Sequence, residues 1–255
     1  MGRVYEHRAG SPRDPAFIPA KHSRHEPAVT VTAVGPDQPS TGHVLVRIWL
    51  PDRPGALGLV ASRIGAMRGD IVGIDVLERG ADVAVDEFAV VLPDLDLLGL
   101  LVKEVEEVDG VSVEEVRVVS HFPDPRLDAL QSAAVLCEAD DVGALRARLV
   151  EHTRQDLRAD WAALLGSGVV VESVGEVEPS TEMLRALAAG VAVSSKVLDG
   201  ASGLDDVVVA AVDGQDAVLV LGRAGHPFRR RERARLLAIT RIAGRAWSLL
   251  PPAPG

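Results

Sequence analysis

Residues 52–57, Asp-Arg-Pro-Gly-Ala-Leu, carry the groups needed to bind a free amino acid. They follow a run rich in β-branched residues and precede apolar residues spaced three to four positions apart. We therefore expect them to connect a strand to a helix, with Pro54 in the first turn of that helix. The unpaired N–H groups of a helix N-terminus suit an α-carboxylate. Asp52 can accept a hydrogen bond from an α-ammonium, and Gly55 permits close approach to the backbone. Alternatively, Pro54 and Gly55 only shape the turn.

A second carboxylate, Asp75, lies on the strand predicted after that helix. By strict alternation it shares a face with Ile71, Gly73 and Leu77, where it meets either a partner's loop or water. Asp86 and Glu87 are adjacent in the next strand, so they point to opposite faces and cannot act as a pair. The candidate amino-acid-binding residues are therefore Asp52, Pro54, Gly55, Ala56, Leu57 and Asp75.

Other chemistry finds little support in the sequence. Beyond residue 42, no two of the histidines stand at a metal-ligand spacing, and Cys137 is the single cysteine. The run Ser194-Ser195-Lys196 lacks the partners of a nucleophilic serine, and no glycine-rich phosphate loop follows a strand. We therefore expect no metal, no cofactor and no enzymatic activity.

The elements that would position the loop follow a regular order from His43 to residue 120. Period-2 runs and helical stripes alternate as strand, helix, strand, strand, helix, strand, and the first helical stripe is Leu57, Val60, Ala61, Ile64 and Met67. This βαββαβ order predicts a ferredoxin-like antiparallel sheet with both helices on one face. The other face must be covered by a second copy or by the rest of the chain.

The stretch VRIWLPDRPGALGLVASRIGAMRGDIVGIDVLERG resembles an ACT domain, a small regulatory module that commonly binds amino acids. The resemblance covers about residues 43–120 and rests on the Asp52–Leu57 loop followed by Ile-x-Gly-Ile-x at 71–75. It implies that the ligand sits at the loop, at an interface between two copies of the domain.

The second half begins after a proline-rich linker at 121–125. The pattern predicts helices over about 126–157, with Leu127, Leu130, Ala134 and Cys137 on one stripe and Cys137 in mid-helix. Hairpin, helix, hairpin and a last helix over about 229–250 then describe an α+β domain with an antiparallel sheet. In its strands and terminal helix, this half (126–250) resembles a GAF domain, a sensory fold.

Charge and composition exclude several partner classes. The 255 residues carry a net charge of −10, although the stretch from Arg223 to the end is positive by seven. We interpret its arginines as the solvated flank of an apolar stripe, and we expect them to pair with the acidic stretch directly before them, residues 121–222, which has a net charge of −10. Net acidity argues against nucleic acid, and no apolar run is long enough to span a membrane. Residues 1–42 and 251–255 are predicted to be disordered, and the chain to be cytoplasmic.

These observations predict a non-enzymatic regulatory protein. A small-molecule ligand, an amino acid, would bind at the loop and act allosterically on the second domain or on a regulated protein partner. A homodimer would cover the exposed sheet, with the second strand of the βαββαβ unit as its edge. The alternative is a structural or interaction adaptor whose ligand pocket is vestigial.

Overall fold

The structure, a computed structural model, describes residues 28–31, 42–80, 82–176, 179–193 and 206–252. In chain order its elements are β1 (Ala28–Val31), β2 (Gly42–Pro51), α1 (Ala56–Ala66), β3 (Asp70–Arg79), β4 (Val83–Leu92), α2 (Leu98–Glu106), β5 (Ser112–Val119), α3 (Pro125–Cys137), α4 (Val142–Asp156), β6 (Trp161–Gly166), β7 (Val169–Val174), α5 (Thr181–Val193), β8 (Val207–Ala211), β9 (Ala217–Gly222) and α6 (Arg230–Trp247).

The first sheet has the strand order β1-β5-β2-β4-β3. Strands β5, β2, β4 and β3 pair antiparallel, and α1 and α2 lie on one face. The core between helices and sheet is made mainly of aliphatic side chains, among them Val46, Ile48, Val60, Leu101 and Val116, with Phe88 at its centre. This is the predicted ferredoxin-like βαββαβ arrangement, and β3 is the edge strand as expected.

The prediction that residues 1–42 form a disordered tail is wrong for residues 28–31. This segment is β1, which pairs in parallel with β5 over residues 115–118. Its sequence, Ala-Val-Thr-Val, is rich in β-branched residues, and β5 offers it a free edge. Gly42, the last residue of the predicted tail, is the first residue of β2. Residues 1–27 and 32–41, the Ser194-Ser195-Lys196 run and residues 253–255 lie outside the described residues.

The second sheet has the order β7-β6-β9-β8 and is antiparallel throughout. Helices α3, α4 and α6 contribute Leu136, Leu149 and Leu236 to the core on one face. Helix α5 packs Leu184 against Trp161 on the other face. The predicted α+β domain with an antiparallel sheet is thus present.

Helix α3 differs from its prediction. Leu127 and Leu130 are exposed, while Ser132 and Leu136 are buried. The Ser132 hydroxyl donates to the Asp128 carbonyl, and its oxygen lies 2.8 Å from Nε2 of His152 on α4. A serine whose hydrogen bonds are satisfied can lie between helices, which an apolar-stripe argument does not anticipate. The predicted stripe is therefore wrong, and Cys137 ends the helix on the exposed side instead of lying in mid-helix.

Candidate functional site

The loop between β2 and α1 presents an open helix N-terminus. Gly55 precedes the helix with φ at 90°, in the left-handed region that favours glycine. No side chain caps this end, and the N–H groups of Leu57 and Gly58 have no acceptor in the described ranges. Because the first turn of a helix lacks intrahelical acceptors, these groups remain available to an anionic ligand.

The predicted loop residues differ in exposure. Asp52, Pro54 and Gly55 are exposed, and Ala56 is buried. Leu57 is 40% exposed, so its predicted place on the buried stripe of α1 is wrong. Ala56 takes that place, because the helix starts only at this residue and turns its 56-60-64 face to the core.

The loop is held in place on one side and open on the other. The Asp52 N–H donates to the carbonyl of Asp82, 3.0 Å away, which joins the loop to the β3–β4 turn. A side chain added at Gly55 would meet no atom within 4 Å. The peptide groups beside Gly55 are therefore accessible from solvent.

Asp75 lies on the opposite face of the sheet from the helices. A β-bulge between Ile71 and Gly73 interrupts the alternation, so Ile71 packs against the helix-side core while Asp75 pairs with Glu87 in the register. Its Oδ1 is 2.6 Å from Nη1 of Arg231 on α6. The prediction that Asp75 shares a face with Ile71 is wrong, and the structure does not bring it to the loop.

A carboxylate that the sequence analysis did not select, Asp86, is buried on the helix side of β4. It lies on the same face as Ala84 and Phe88 and is 5% exposed. Its Oδ1 is enclosed without a hydrogen-bond partner among the described residues. Burial raises the pKa of Asp86; the charge of Arg79 opposes this rise, and that of Asp52 adds to it. In the sequence, Asp86 stands at a position of β4 where the alternation of side chains predicts an apolar residue facing the core. This mismatch could have identified it.

The open face of the first sheet meets the N-terminal end of α6. Arg229, only 4% exposed, forms ion pairs with Glu114 and, at 3.4 Å, with Glu78. Its guanidinium lies 4.5 Å from the ring centre of Trp49. The expectation that these arginines form a solvated face is wrong for Arg229, because the acidic sheet supplies the partners that let it be buried.

Further charged pairs continue this junction. Arg47 and Arg117 both donate to Glu87, at 3.1 and 3.0 Å. Arg158, two residues after the end of α4, donates to both carboxylate oxygens of Glu115, at 3.2 and 2.9 Å. Part of the sheet face that needed a cover is thus covered by the same chain.

Glu232 is the acidic centre at the start of α6. It accepts two hydrogen bonds from the buried Arg223, at 3.0 and 2.8 Å, and one from the Arg229 N–H at 2.7 Å. Burial alone would raise the pKa of Glu232, but the hydrogen bond and charge of Arg223, with the nearby Arg47, hold it below its usual range. The carboxylate therefore stays ionised within the junction.

A cavity of about 410 Å³ lies on the open face, between β2–β4 and residues 122–125. Its wall includes Asp75 and Glu87, each paired with an arginine as described above. A third carboxylate of the wall, Asp124, has no cationic partner among the described residues; its Oδ1 accepts hydrogen bonds from the N–H groups of Arg126 and Leu127 at the start of α3. In the described part of the chain, no three His, Cys, Asp or Glu side chains are placed to hold a metal ion. No helix within the described ranges is both long and apolar enough to cross a bilayer.

Comparison with known proteins gives structural likeness only. No family model matches the chain, and no curated protein matches it. The ACT domain of a GTP pyrophosphokinase from Chlorobium tepidum is 18% identical, covers 33% of this chain and 93% of its own, and has a TM-score of 0.27. A protein described as unknown from Galdieria sulphuraria is 14% identical over 82% of this chain and 93% of its own, with a TM-score of 0.30.

The photosensory core module of a Stigmatella aurantiaca phytochrome is 10% identical, with a TM-score of 0.38. The match covers 86% of this chain and 61% of the phytochrome chain.

Proposed function

We propose that this chain is a non-enzymatic regulatory protein that binds a free amino acid at the 52–57 loop. The observation that supports this proposal is the uncapped N-terminus of α1, with open space beside the left-handed Gly55. An α-carboxylate placed there accepts hydrogen bonds from the N–H groups of Leu57 and Gly58 and meets the positive end of the helix dipole. Asp52 is close enough in the chain to attract the ammonium group.

Strand β3 connects this loop to the second domain. Adjacent residues of a strand point to opposite faces of the sheet. At the end of β3, Glu78 therefore contacts Arg229 of α6 on the open face, and the charge of Arg79 acts on Asp86 on the helix side. A ligand that moves the end of β3 changes the ion pairs at the junction. Such coupling is reciprocal, so a partner bound to the second domain would alter the affinity for the amino acid.

A melting screen against the twenty proteinogenic amino acids at millimolar concentration tests the proposal. A ligand at about 100 times its Kd stabilises the folded state by roughly 2.7 kcal/mol. For a chain of this length that raises Tm by several degrees. If no amino acid raises Tm, the adaptor with a vestigial pocket becomes the better account.

Variants of the loop locate the site. Asp52→Ala removes one charge-assisted hydrogen bond and should weaken binding about tenfold or more, with the fold intact because Asp52 is exposed. Gly55→Val should abolish the ligand-induced shift, since a β-branched residue is strained at this φ and fills the open space. Asp70→Ala is the matched control, because this exposed residue pairs with Val91 at the far end of the sheet. Equal loss of binding in the Asp70 variant would contradict the assignment.

A further inference from the structure

The cavity on the open face of the first sheet has small residues on its floor. Leu45, Ala89 and Gly73 lie side by side on β2, β4 and β3, because Leu45 pairs with Ala89 and Ala89 pairs with Gly73. A Cβ added at Gly73 would meet only the Cβ of Ala89, at 3.7 Å. The sheet therefore leaves room above Gly73, and the volume of about 410 Å³ lies in the usual range of small-molecule sites.

The other wall of the cavity, residues 122–125, is held in place at both ends. The ring of Phe122 contacts the ring of His43 edge-on, with 4.8 Å between the ring centres. At the other end, Oδ1 of Asp124 accepts hydrogen bonds from two N–H groups in the first turn of α3 and so caps this helix. Because these contacts fix the wall without a ligand, binding would not have to order it.

Among the described residues, every polar side chain that lines the cavity is a carboxylate: Asp75, Glu87 and Asp124. In each of them one oxygen accepts all the hydrogen bonds that the described residues donate, Oδ1 in the two aspartates and Oε2 in Glu87. An ionised carboxylate can accept on both oxygens. The lining side chains thus offer acceptors and no donor, which favours a cationic ligand and disfavours an anion.

We propose that this cavity binds a small organic cation, a primary amine with an apolar body and no carboxylate group. The apolar body lies over Gly73 and Ala89, and the ammonium group faces Asp124, whose charge no cationic side chain of the described residues balances. A ligand carboxylate would face three others, so the cavity rejects free amino acids. The site is separate from the 52–57 loop, and neither proposal depends on the other.

The test is an NMR titration of the isotopically labelled full-length chain with phenethylamine, and separately with phenylpropanoate, which has a carboxylate in place of the amine. Phenethylamine should shift the amide signals of Leu45, Gly73 and Ala89 in a saturable manner and leave those of residues 52–57 unchanged. It should bind about tenfold or more tightly than phenylpropanoate.

Three variants separate the charge of the site from its space. Asp124→Asn removes the charge but keeps the cap, because asparagine is also favoured at this position, and should weaken phenethylamine binding about tenfold. Asp141→Asn, the same change at the N-cap of α4, is the matched control and should bind like wild type. Gly73→Val should abolish binding, because its side chain enters the cavity from a backbone that is not left-handed.

Several results would overturn the proposal. They are unchanged spectra with phenethylamine at millimolar concentration, equally tight binding of phenylpropanoate, and binding that survives Gly73→Val. An equal loss of affinity in Asp124→Asn and Asp141→Asn would contradict the role of Asp124. Circular dichroism establishes that each variant is folded. Should Gly73→Val not fold, Gly73→Ala adds a Cβ at an ordinary contact distance and should still weaken binding.

Discussion

The single residue with the clearest consequence for the ligand-free protein is Asp86. Because its pKa is raised in the folded state, mainly by burial, its ionisation opposes folding. The stability it contributes is full below the ordinary pKa of an aspartate and is lost as the pH rises through the raised value. At neutral pH, ionised Asp86 therefore lowers the free energy of unfolding of the ligand-free protein.

Replacing Asp86 by Asn should remove that cost. We expect Asp86→Asn to be more stable than wild type at pH 7 in the absence of ligand, with a difference that narrows as the pH falls toward the ordinary aspartate range. Thermal melts of both proteins across pH 4 to 8 measure this difference. A variant less stable than wild type at every pH would show that Asp86 makes a favourable interaction when ionised.

At this scale the sequence located the loop but not its partners. The types and order of residues 52–57 were sufficient to predict a strand-to-helix turn, because proline and glycine act locally. Asp75 was misplaced, since a bulge between Ile71 and Gly73 is set by pairing with β4 and leaves no local signal. Asp86 was considered only as a possible pair with Glu87, although its place in the β4 alternation already put it on the core side.

At the scale of the elements, the start of α6 is held in place by one ionised side chain, that of Glu232. Glu232 accepts from the backbone N–H of Arg229 at the start of the helix and from the Arg223 guanidinium. Glu232→Gln removes the charge that these arginines face, and breaking a buried ion pair of this kind costs about 3 kcal/mol. We expect a clear fall in the urea midpoint at pH 7.

The pH dependence of the stability difference between wild type and Glu232→Gln provides a control for this prediction. The pKa of Glu232 is lowered in the folded state, so its contribution is present above the ordinary glutamate range and is lost as the pH falls through the lowered value. The difference between wild type and Glu232→Gln should therefore shrink in acid. Glu151→Gln, on the surface of α4, should leave the midpoint nearly unchanged, because exposed pairs contribute little. A similar fall in both variants would argue against a special role for Glu232.

Elements with a strong period were predictable, and those defined by long-range contacts were not. Helices α1 and α2 and the strands β2, β4 and β9 show their period in the sequence. Strand β1 was missed because its four residues have a place only beside β5. The buried side of α3 was missed because Ser132 is satisfied by the Asp128 carbonyl and by His152, neither of which a hydropathy pattern records.

For the whole molecule, the uneven distribution of charge explains how the two halves meet. The arginine-rich end of the chain carries the positive excess, and the first sheet carries acidic groups on its open face. Arg229 and Arg231 meet Glu78, Glu114 and Asp75 there. The predicted pairing with residues 121–222 holds for Arg235, which pairs with Asp156, but is wrong for Arg229 and Arg231, because the start of α6 lies against the first sheet. Part of that sheet is still uncovered at β3.

The homodimer is the prediction that belongs to this scale. β3 is an edge strand, and its Val72, Ile74 and Val76 are 53%, 39% and 37% exposed. An exposed edge with apolar side chains favours pairing with a second copy. We expect light scattering at micromolar concentration to give a dimer mass for wild type and a monomer mass for Val72→Lys combined with Ile74→Lys. Lysine on an edge strand opposes such pairing.

The matched control for the dimer is Val169→Lys, on β7 at the edge of the other sheet, where the side chain is 54% exposed. This variant should remain dimeric, because the expected interface is β3 and not β7. Circular dichroism of each variant establishes that it is folded before its mass is interpreted. A monomer mass for wild type, with and without amino acids, would contradict the homodimer. A dimer that survives both lysines on β3 would place the interface elsewhere on the molecule.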